Sequence, residues 1–458
     1  MANRSTSQEL HRLRPGTVGA APGALPLIGH AIRLSRRPLQ FLSELPVYGD
    51  LVEIRLGPRR AYMACHPEVV RQLLLTPRTF DKGGPAIEQG RRLVGDGLIT
   101  SEWASHRRQR RMIQPAFHPA RIPGYASMMC QDIEATLGSW LPGRTLDVHD
   151  AMQNLALRIT TRTLFTTSLS TEAMSEVVEC LFVIMRGAWK RIASPVPFRW
   201  VDKVPTPENR RFERARTRMR SLVSQIIDQR RTQNDHDDIL SLLLNDRDES
   251  TGESLNDREI HDQILTLLVA GTETTGAAMA WAFHLLAEHP AVESRLQTEL
   301  DSVLAGRPPE FEDLPRLPYT ARVLTETLRL RPPAWIVTRT TTRETELAGH
   351  RLNPGTTVMY SPYLLHHNPD LFPDPEQFDP DRWLPERANA VPHGAMLPFG
   401  AGNRKCIGDK FGMTEAALAI ATIASRWQLR SAPGTTVRMT PKASLGPGPL
   451  PMVPTPRS

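Results

Sequence analysis

Apolar residues recur with a helical period through most of the chain between residues 105 and 300. The longest such pattern runs from Asp257 to Glu288 and ends before Pro290. Its middle, from Ile264 to Leu286, is apolar nearly all round. This segment therefore predicts a central helix roughly 45 Å long that is buried on every side.

Shorter patterns on either side of this region predict small sheets. Leu51–Leu56 and Arg60–Ala64 read as the two strands of a hairpin, and Ile336–Thr341 and Thr357–Tyr360 as later strands. Five glycines between residues 80 and 100 predict a loop. The whole pattern predicts a mainly α fold with small β-sheets.

Length and composition indicate one large folded domain. The chain has 458 residues, of which 40% are hydrophobic, and it contains no Gly/Ser linker, repeat or low-complexity block. We expect a Pro/Gly-rich lead-in over residues 1–30 and a single domain over residues 31–458. The N-terminus is polar and has no apolar run, so we expect no signal peptide, no membrane anchor and a cytoplasmic location.

Charge and cysteine content exclude several classes of protein. The net charge of +7 and pI of about 9.5 come from basic residues interleaved with acids, except at His106–Arg111, and no nucleic-acid recognition motif is present. The balance favours an acidic protein partner over nucleic acid. Four cysteines without CxxC spacing exclude a zinc ribbon and a disulfide framework.

The segment from Phe399 to Gly408 carries the strongest chemical motif. It places Cys406 in a glycine-rich loop just before a predicted helix over Asp409–Trp427. A helix N-terminus stabilises a thiolate, which is then a metal ligand or a nucleophile, and haem iron is one metal that takes a lone cysteine thiolate. The other three cysteines have no motif around them and are interpreted as small buried residues.

A second motif interrupts the predicted central helix. Ala270-Gly271-Thr272-Glu273-Thr274-Thr275 places a glycine, three threonines and an acid in its interior, where each costs local stability. A buried acid beside an alcohol is suited to moving protons. The alternative is a helix kink whose hydroxyls bond to carbonyls of the same helix.

Two further patterns pair charged residues one helical turn apart. Glu326 and Arg329 have the spacing of many exposed pairs, such as Glu68 and Arg71, but leucines surround them and prolines end their helix. In the basic stretch, His106 and Arg110 share a helix face and suit a ligand with carboxylates. Trp103 and Arg107, which are also four residues apart, form an alternative pair for the same role.

These motifs resemble those of the cytochrome P450 family, the haem-thiolate monooxygenases, along essentially the whole chain. The resemblance implies a helix-rich fold that holds haem b (iron protoporphyrin IX) between the long central helix and the Cys406 loop with its following helix. By it, Cys406 ligates the iron, Thr274 supports oxygen activation, and Glu273 relays protons. The residues implied around the haem are His106, Arg110, Ala270, Gly271, Arg339, Phe399, Arg404, Cys406 and Gly408. Glu326 and Arg329 would form a buried structural triad with Arg382, which lies in Phe378–Trp383.

The same resemblance implies a monooxygenase that uses O2 to oxidise a hydrophobic small molecule. Electrons would come from a separate ferredoxin and ferredoxin reductase, because no reductase segment follows Cys406. Longer stretches are similar to soluble bacterial sesquiterpene oxygenases, so we expect a terpene of secondary metabolism. The residues expected to line its pocket are Ile87, Leu93, Leu98, Phe182, Leu268, Trp335, Ile336 and Val337.

Several alternatives stay open from the sequence. The chain could be a fatty-acid or polyketide hydroxylase of the same family, or a peroxide-driven or isomerising haem-thiolate enzyme. More distant alternatives are a non-catalytic haem-thiolate carrier or sensor, and an enzyme that uses Cys406 as a nucleophile. The last requires a general base, and the loop offers none.

Overall fold

A computed structural model of the chain describes residues 18–165, 171–192, 206–232, 238–245, 247 and 252–457. In chain order, the α-helices of this part are α1 Ala31–Arg36, α2 Pro38–Glu44, α3 Pro67–Leu75, α4 Pro85–Val94, α5 Trp103–Ile113, α6 Ile122–Leu137, α7 Val148–Phe165, α8 Thr171–Ile192, α9 Pro207–Arg231, α10 Ile239–Asn245, α11 Asp257–Glu288, α12 Pro290–Leu304, α13 Pro318–Leu330, α14 Pro362–His366, α15 Pro385–Ala388 and α16 Asp409–Arg426.

Short strands and 3-10 turns fill much of the remainder. The strands are β1 Val18–Ala20, β2 Leu51–Leu56, β3 Arg59–Ala64, β4 Phe80–Asp81, β5 Leu146–Asp147, β6 Val337–Thr341, β7 Thr345–Leu347, β8 His350–Leu352, β9 Thr357–Tyr360, β10 Trp427–Ser431, β11 Thr440–Pro441, β12 Leu445–Gly446 and β13 Pro451–Pro456. The 3-10 turns are Leu45–Tyr48, Gln114–Phe117, Pro119–Arg121, Phe311–Arg316, Pro380–Trp383 and Gly402–Arg404. The fold is mainly α with small sheets, as the sequence predicts.

The chain divides into two compact units, and the prediction of a single domain over residues 31–458 stays a prediction. The first unit holds the described residues up to Glu88 together with Ala334–Gln377 and Pro385–Cys406. Its six-stranded sheet has the order β1-β2-β3-β9-β6-β4. The predicted hairpin is the antiparallel β2–β3 pair of this sheet. Side chains of β2, β3 and β9 share a buried apolar cluster with side chains of α3.

The second unit is built mainly of helices and holds Gln89–Pro333, Phe378–Leu384 and the described residues from Ile407 onward. The predicted central helix is α11, with the bounds expected from the sequence. A capping box of Asn256 and Glu259 begins it, and most of its residues from Ile260 to Leu286 are buried. It packs most extensively against α7. Within the described ranges, no helix combines the length and the apolarity that crossing a bilayer requires.

The glycine-rich segment between residues 80 and 100 is not the continuous loop that the sequence predicts. It contains the short strand β4 and the helix α4. Four of its five glycines flank α4, two before Pro85 and two after Val94, and only Gly90 lies inside the helix. A glycine count alone misses this arrangement, because one internal glycine costs a helix only about 1 kcal/mol.

The predicted buried triad around Glu326 is present in the second unit. Arg329 binds the Glu326 carboxylate with two parallel bonds of 2.8 Å, and Arg382 Nε donates to Oε1 over 3.3 Å. The carboxylate also accepts hydrogen bonds from the backbone N–H of Asp379 and from Trp383 Nε1. Glu326 and Arg329 have no solvent exposure. Five donors thus replace the water that the carboxylate loses, and they join α13 to the 3-10 turn Pro380–Trp383.

We expect Glu326→Ala to destabilise the protein by about 3–5 kcal/mol, because it leaves two arginines buried without their counter-charge. The measurement is the free energy of unfolding in guanidinium chloride. The matched control is Glu68→Ala, which breaks an ion pair of the same i,i+3 spacing on the surface of α3 and should change the free energy of unfolding little. Similar losses in the two variants would contradict the role assigned to burial.

Candidate functional site

The Cys406 loop is held by its own backbone and by close packing on α3. The Cys406 N–H donates to the Phe399 carbonyl over 2.9 Å. Gly400 and Gly402 have φ values of +66° and +65°, which favour glycine. A Cβ at Gly402 would lie 2.6 Å from the Leu74 carbonyl oxygen, so this glycine is needed for the contact with α3. Three residues after Cys406 the chain enters α16, close to the predicted bounds.

Of the four cysteines, all of which the structure describes, Cys406 is the exposed one. Cys65 and Cys180 are buried, and burial raises the pKa of both thiols. Burial also raises the pKa of the half-buried Cys130 thiol to about 11. These three side chains therefore stay protonated and inert at neutral pH, whereas Cys406 is accessible to a ligand.

A cationic cluster lies close by in the first unit, made of Arg339, Arg404 and Lys82 with one acid, Asp81. Arg404 forms an ion pair with Asp81 and its side chain is almost wholly buried. Arg339 is 3% exposed, donates to the Thr338 carbonyl and lies 5.9 Å from the centre of the Tyr360 ring. Burial raises the pKa of Tyr360, which keeps this phenol neutral beside Arg339.

Lys82 shows how unbalanced the charge of this cluster is. Burial, together with the positive charges of Arg339 and Arg404, holds the pKa of Lys82 well below its ordinary value, and Asp81 offsets this only in part. Arg339 and Arg404 outnumber the one carboxylate, and an anion bound here would favour the protonated form of Lys82, so the cluster can accommodate up to two further negative charges. The cluster therefore fits a ligand that carries two carboxylates, as haem b does through its propionates.

Sequence reasoning identified Arg339 and Arg404 but missed Lys82 and Asp81. Both missed residues lie in the glycine-rich segment that was predicted to be a loop. The composition does single out Lys82, because it is one of only six lysines among the 56 basic residues.

In the second unit, α5 presents the predicted pair His106 and Arg110 on one face. His106 is 3% exposed and stacks on Trp103, with ring centres 6.5 Å apart. Arg110 is half-buried, whereas Arg107 is exposed. Burial thus favours the register of His106 and Arg110 over that of Trp103 and Arg107 as the one that faces a ligand.

The threonines of α11 bond to their own helix. Thr272 Oγ1 donates to the Leu268 carbonyl and Thr274 Oγ1 donates to the Ala270 carbonyl, each over 2.7 Å. The helix nevertheless runs unbroken from Asp257 to Glu288. Thr272 is buried but Thr274 is exposed, so the Thr274 hydroxyl is available to exchange its bond for another partner.

Glu273 lies against a segment near the C-terminus. Its carboxylate is hydrogen-bonded by Ser444, and Lys442 is near enough to act on its charge. Burial is the largest influence and raises the pKa of Glu273, although Ser444 and Lys442 oppose the rise. A carboxyl that holds its proton nearer to neutral pH, next to a hydroxyl and an amine, can pass protons. No local pattern points to Ser444 or Lys442, because both are far from Glu273 along the chain.

Two residues assigned to the site on α11 make contacts with the rest of the protein. A Cβ at Gly271 would lie 2.7 Å from Thr160 Oγ1, so this glycine permits close packing of α11 on α7, and its assignment to the haem site stays a prediction. Leu268 is fully buried and two residues before Ala270, which places it about 160° away around the helix. Leu268 is therefore a core residue on the face opposite Ala270.

The other predicted pocket residues are apolar and mostly shielded. Leu93, Leu98 and Trp335 are buried, whereas Ile87, Phe182, Ile336 and Val337 are half-buried. Gly408 is the N-cap residue of α16. A Cβ added at this glycine would lie 3.6 Å from the Phe117 ring. In the same unit Phe117 and Tyr125 both contact the Phe411 ring edge to face.

A buried acid on α16 completes the set of unusual ionisable groups. Glu415 has no solvent exposure, and neither of its carboxylate oxygens has a hydrogen-bond partner among the described residues. Burial holds the pKa of Glu415 well above its ordinary value. The side chain is therefore a neutral acid over much of the pH range in which an exposed glutamate is charged.

Comparison with known proteins identifies relatives over almost the whole chain. A family model described as Cytochrome P450 matches residues 20–454. The chain is 54% identical to cyclooctat-9-en-7-ol 5-monooxygenase of Streptomyces melanosporofaciens, covering 97% of this chain and 96% of that protein. It is 44% identical to pentalenene oxygenase of Streptomyces avermitilis, covering 92% and 93%.

A solved structure shares the fold. The crystal structure of the cytochrome P450DA heme domain matches with a TM-score of 0.87 and 27% sequence identity, covering 97% of this chain and 99% of that one. Sequence and structure thus give the same family assignment.

We expect Glu415→Gln to weaken the pH dependence of stability. The native state keeps the Glu415 proton at pH values where the unfolded chain has already lost it, so this residue lowers stability as pH rises from about 4 toward its native pKa. The measurement is the free energy of unfolding at several pH values, and the readout is its slope. The same substitution at Glu386, an exposed residue of α15, is the control. An unchanged slope in Glu415→Gln would show that the carboxyl is ionised in the native protein.

Proposed function

Because the chain belongs to the cytochrome P450 family, it is a haem-thiolate monooxygenase, and we propose that it oxidises a cyclic terpene in secondary metabolism. The observation that carries this proposal is the similarity over nearly the full length to a cyclooctat-9-en-7-ol 5-monooxygenase and to a pentalenene oxygenase. The apolar character of Leu93, Leu98, Trp335 and their neighbours supports a hydrophobic substrate.

We further propose that Cys406 is the iron ligand. It is the exposed cysteine of the four, and the bond from its N–H to Phe399 fixes the loop that presents its sulfur. In the bound state the haem supplies the oxygen and one-electron chemistry that protein side chains lack. A thiolate at Cys406 would donate electron density to the metal and thereby favour cleavage of the O–O bond.

Basic residues are proposed to hold the haem carboxylates. Arg339 and Arg404 outnumber the acid Asp81, and Lys82 lies beside them. His106 and Arg110 on α5 are proposed for the same role. Each of these groups can donate hydrogen bonds and compensate negative charge, which suits a carboxylate.

Proton supply is assigned to Glu273 and Thr274. The raised pKa of Glu273 leaves its carboxyl with a proton to give at higher pH than an exposed glutamate, and Ser444 can restore that proton through its hydrogen bond. The Thr274 hydroxyl is exposed and bound only to a carbonyl of its own helix. It can exchange that bond and donate a hydrogen bond and a proton into the site.

We propose a small acidic ferredoxin, reduced by a separate ferredoxin reductase, as the electron donor. The net charge of +7 supports an acidic partner. Arg108 is not available for this role, because its guanidinium binds Glu259 and the Ser254 carbonyl. The exposed Arg107 of α5 is proposed as a steering charge. A reduction rate that does not fall as ionic strength rises would argue for a different kind of donor.

We expect the reduced protein with bound carbon monoxide to show a strongly red-shifted Soret band, and Cys406→Ser to lose it. The physical reason is that the shift requires a thiolate on the iron, which an alcohol does not supply. Cys130→Ser is the matched control and should keep the band, since that half-buried thiol hydrogen-bonds to the Pro309 carbonyl. A red-shifted band that survives in Cys406→Ser would place the ligand elsewhere.

We expect Thr274→Val to uncouple electron use from product formation several-fold, with hydrogen peroxide released, because valine keeps the shape of threonine and removes its hydroxyl. The measurement is the ratio of product to reducing equivalents consumed. Thr272→Val is the control, because the Thr272 hydroxyl makes the same type of bond on a buried part of α11. Wild-type coupling in Thr274→Val would remove this residue from the proton path.

A further inference from the structure

Exposed apolar side chains are concentrated in one stretch of the first unit that the proposed mechanism does not use. Most of the large apolar side chains that are exposed in the described part of the chain lie in this stretch, and they are Leu25, Leu27, Ile28, Ile32 and Val47. Leu27 is 88% exposed, more than any other of them. A single exposed leucine is ordinary on a protein surface, but several that adjoin one another indicate a surface with a partner.

The backbone presents Leu27 at the tip of a tight turn. Leu25 and Gly29 exchange two backbone hydrogen bonds, of 3.0 and 2.9 Å. Inside that loop the Ile28 N–H donates to the Pro26 carbonyl over 2.8 Å, and Leu27 between them has a φ of +63°. A three-residue turn with a positive φ at its centre is rare and strained. The side chain of Leu27 therefore projects from a turn whose conformation is itself costly.

Two costs coincide at Leu27. A leucine at positive φ strains the backbone, because its Cβ crowds the following carbonyl oxygen. Its exposure also leaves a large apolar side chain in water. Asparagine at this position would reduce both costs, since it is polar and tolerates positive φ more readily. A chain that keeps both costs at a projecting turn indicates a role for this side chain outside its own fold.

Neighbouring segments extend this turn into a larger surface. The Ala31 N–H donates to the Ile28 carbonyl over 3.2 Å, so α1 begins beside the turn and carries Ile32, which is 41% exposed. The Gly57 N–H donates to the same carbonyl over 3.3 Å, which brings the connection between β2 and β3 against the turn. Three segments of the first unit thus meet at Ile28.

Arginines lie around this apolar surface. Arg36 follows Ile32 by four residues on α1 and so shares its helix face, and Arg59 follows Gly57 by two residues. Both arginines are exposed, and neither forms an ion pair within the described residues. From Leu25 to Arg60 the chain carries six arginines and three acids, and residues 1–17 add three arginines and one acid. The surface therefore combines an apolar tip with an excess of positive charge.

We propose that this surface, which consists of Leu25–Ile28, Ile32, Arg36 and Arg59 and which we call the N-terminal tip, docks the protein on an anionic lipid bilayer. Leu27 and Ile28 would enter the boundary between headgroups and acyl chains, and the arginines would stay at the level of the lipid phosphates. Such docking is peripheral and uses one side of the bilayer. It goes beyond the proposed oxidation and does not depend on which substrate the enzyme takes.

The shape of the N-terminal tip favours a bilayer over a protein partner. Leu27 projects from a turn and is almost fully exposed, so a protein would have to supply a pocket that matches it. A fluid bilayer opens around an apolar tip without a preformed pocket, and its anionic headgroups complement the arginines. Both halves of the surface, the apolar and the charged, are then used by one partner.

The test is co-sedimentation of the full chain, loaded with haem, with two kinds of vesicle. One kind is phosphatidylcholine alone, and the other contains phosphatidylcholine and phosphatidylglycerol in equal parts. We expect binding to the anionic vesicles to be at least about tenfold stronger, because each arginine near the surface adds to the attraction. This preference should decrease as salt is added, since ions screen the arginines.

Two variants test the two halves of the surface. Leu27→Asn should weaken binding to the anionic vesicles about tenfold, because it removes an apolar side chain from the boundary region. It should leave the free energy of unfolding unchanged or higher, since asparagine tolerates the positive φ. Arg59→Glu should weaken binding to the anionic vesicles and leave binding to phosphatidylcholine unchanged. Leu141→Asn, at a leucine that is 52% exposed in the second unit, is the matched control and should bind as the wild type does.

Several outcomes would overturn the inference. The first is a wild type that binds neither kind of vesicle, and the second is a Leu27→Asn variant that binds as well as the wild type. If deletion of residues 1–17 abolishes binding and Leu27→Asn does not, the basic N-terminus and not the N-terminal tip is the lipid contact. If Leu27→Asn instead slows reduction by ferredoxin, or converts a dimer into a monomer in analytical ultracentrifugation, the partner is a protein and the lipid proposal is wrong.

Discussion

A charge removed from water must be neutralised by a partner, by a proton or by a ligand, and this protein uses each solution at a different place. Partners neutralise the Glu326 carboxylate, since two arginines, an indole and a backbone N–H surround it. A proton neutralises Glu415, because burial raises the pKa of its carboxyl. Arg339 and Arg404 outnumber the acid Asp81, and burial lowers the pKa of Lys82 beside them, so an anion that binds here would neutralise buried positive charge. The first two solutions concern stability, and the third supports the proposed haem site.

The central helix α11 shows how one element can serve both purposes. Its buried residues from Ile260 to Leu286 supply most of the apolar contact with α7, and Gly271 allows that contact to be close. Residues 271–275 are more polar than their surroundings and are where chemistry is assigned. A helix this long and this well packed tolerates the stability cost of that segment, because buried apolar residues on both sides of it hold the helix in place.

Motif spacing predicted more of the molecule than composition did. The bounds of α11, the hairpin of β2 and β3, and the pairing of Glu326 with Arg329 all follow from local periodicity and turn residues. The pairing of Glu326 with Arg382 was implied by the family resemblance instead. The features that the sequence did not show have two causes. The helix α4 was hidden by the glycines that flank it, whereas the packing role of Gly271 and the partners of Glu273 depend on contacts between segments far apart in sequence. A sequence pattern records which residues are unusual, but not which distant segment they meet.

The difference between a local sequence pattern and a contact between distant segments matters most for substrate specificity. An apolar pocket separates hydrophobic substrates weakly, because one methylene changes binding by only about 1–3 kcal/mol. A buried polar pair discriminates more strongly, because a substrate that lacks the matching group leaves both side chains unpaired. Relatives that are 54% and 44% identical to this chain carry names with different substrates, so the overall similarity fixes the reaction but not the molecule that undergoes it.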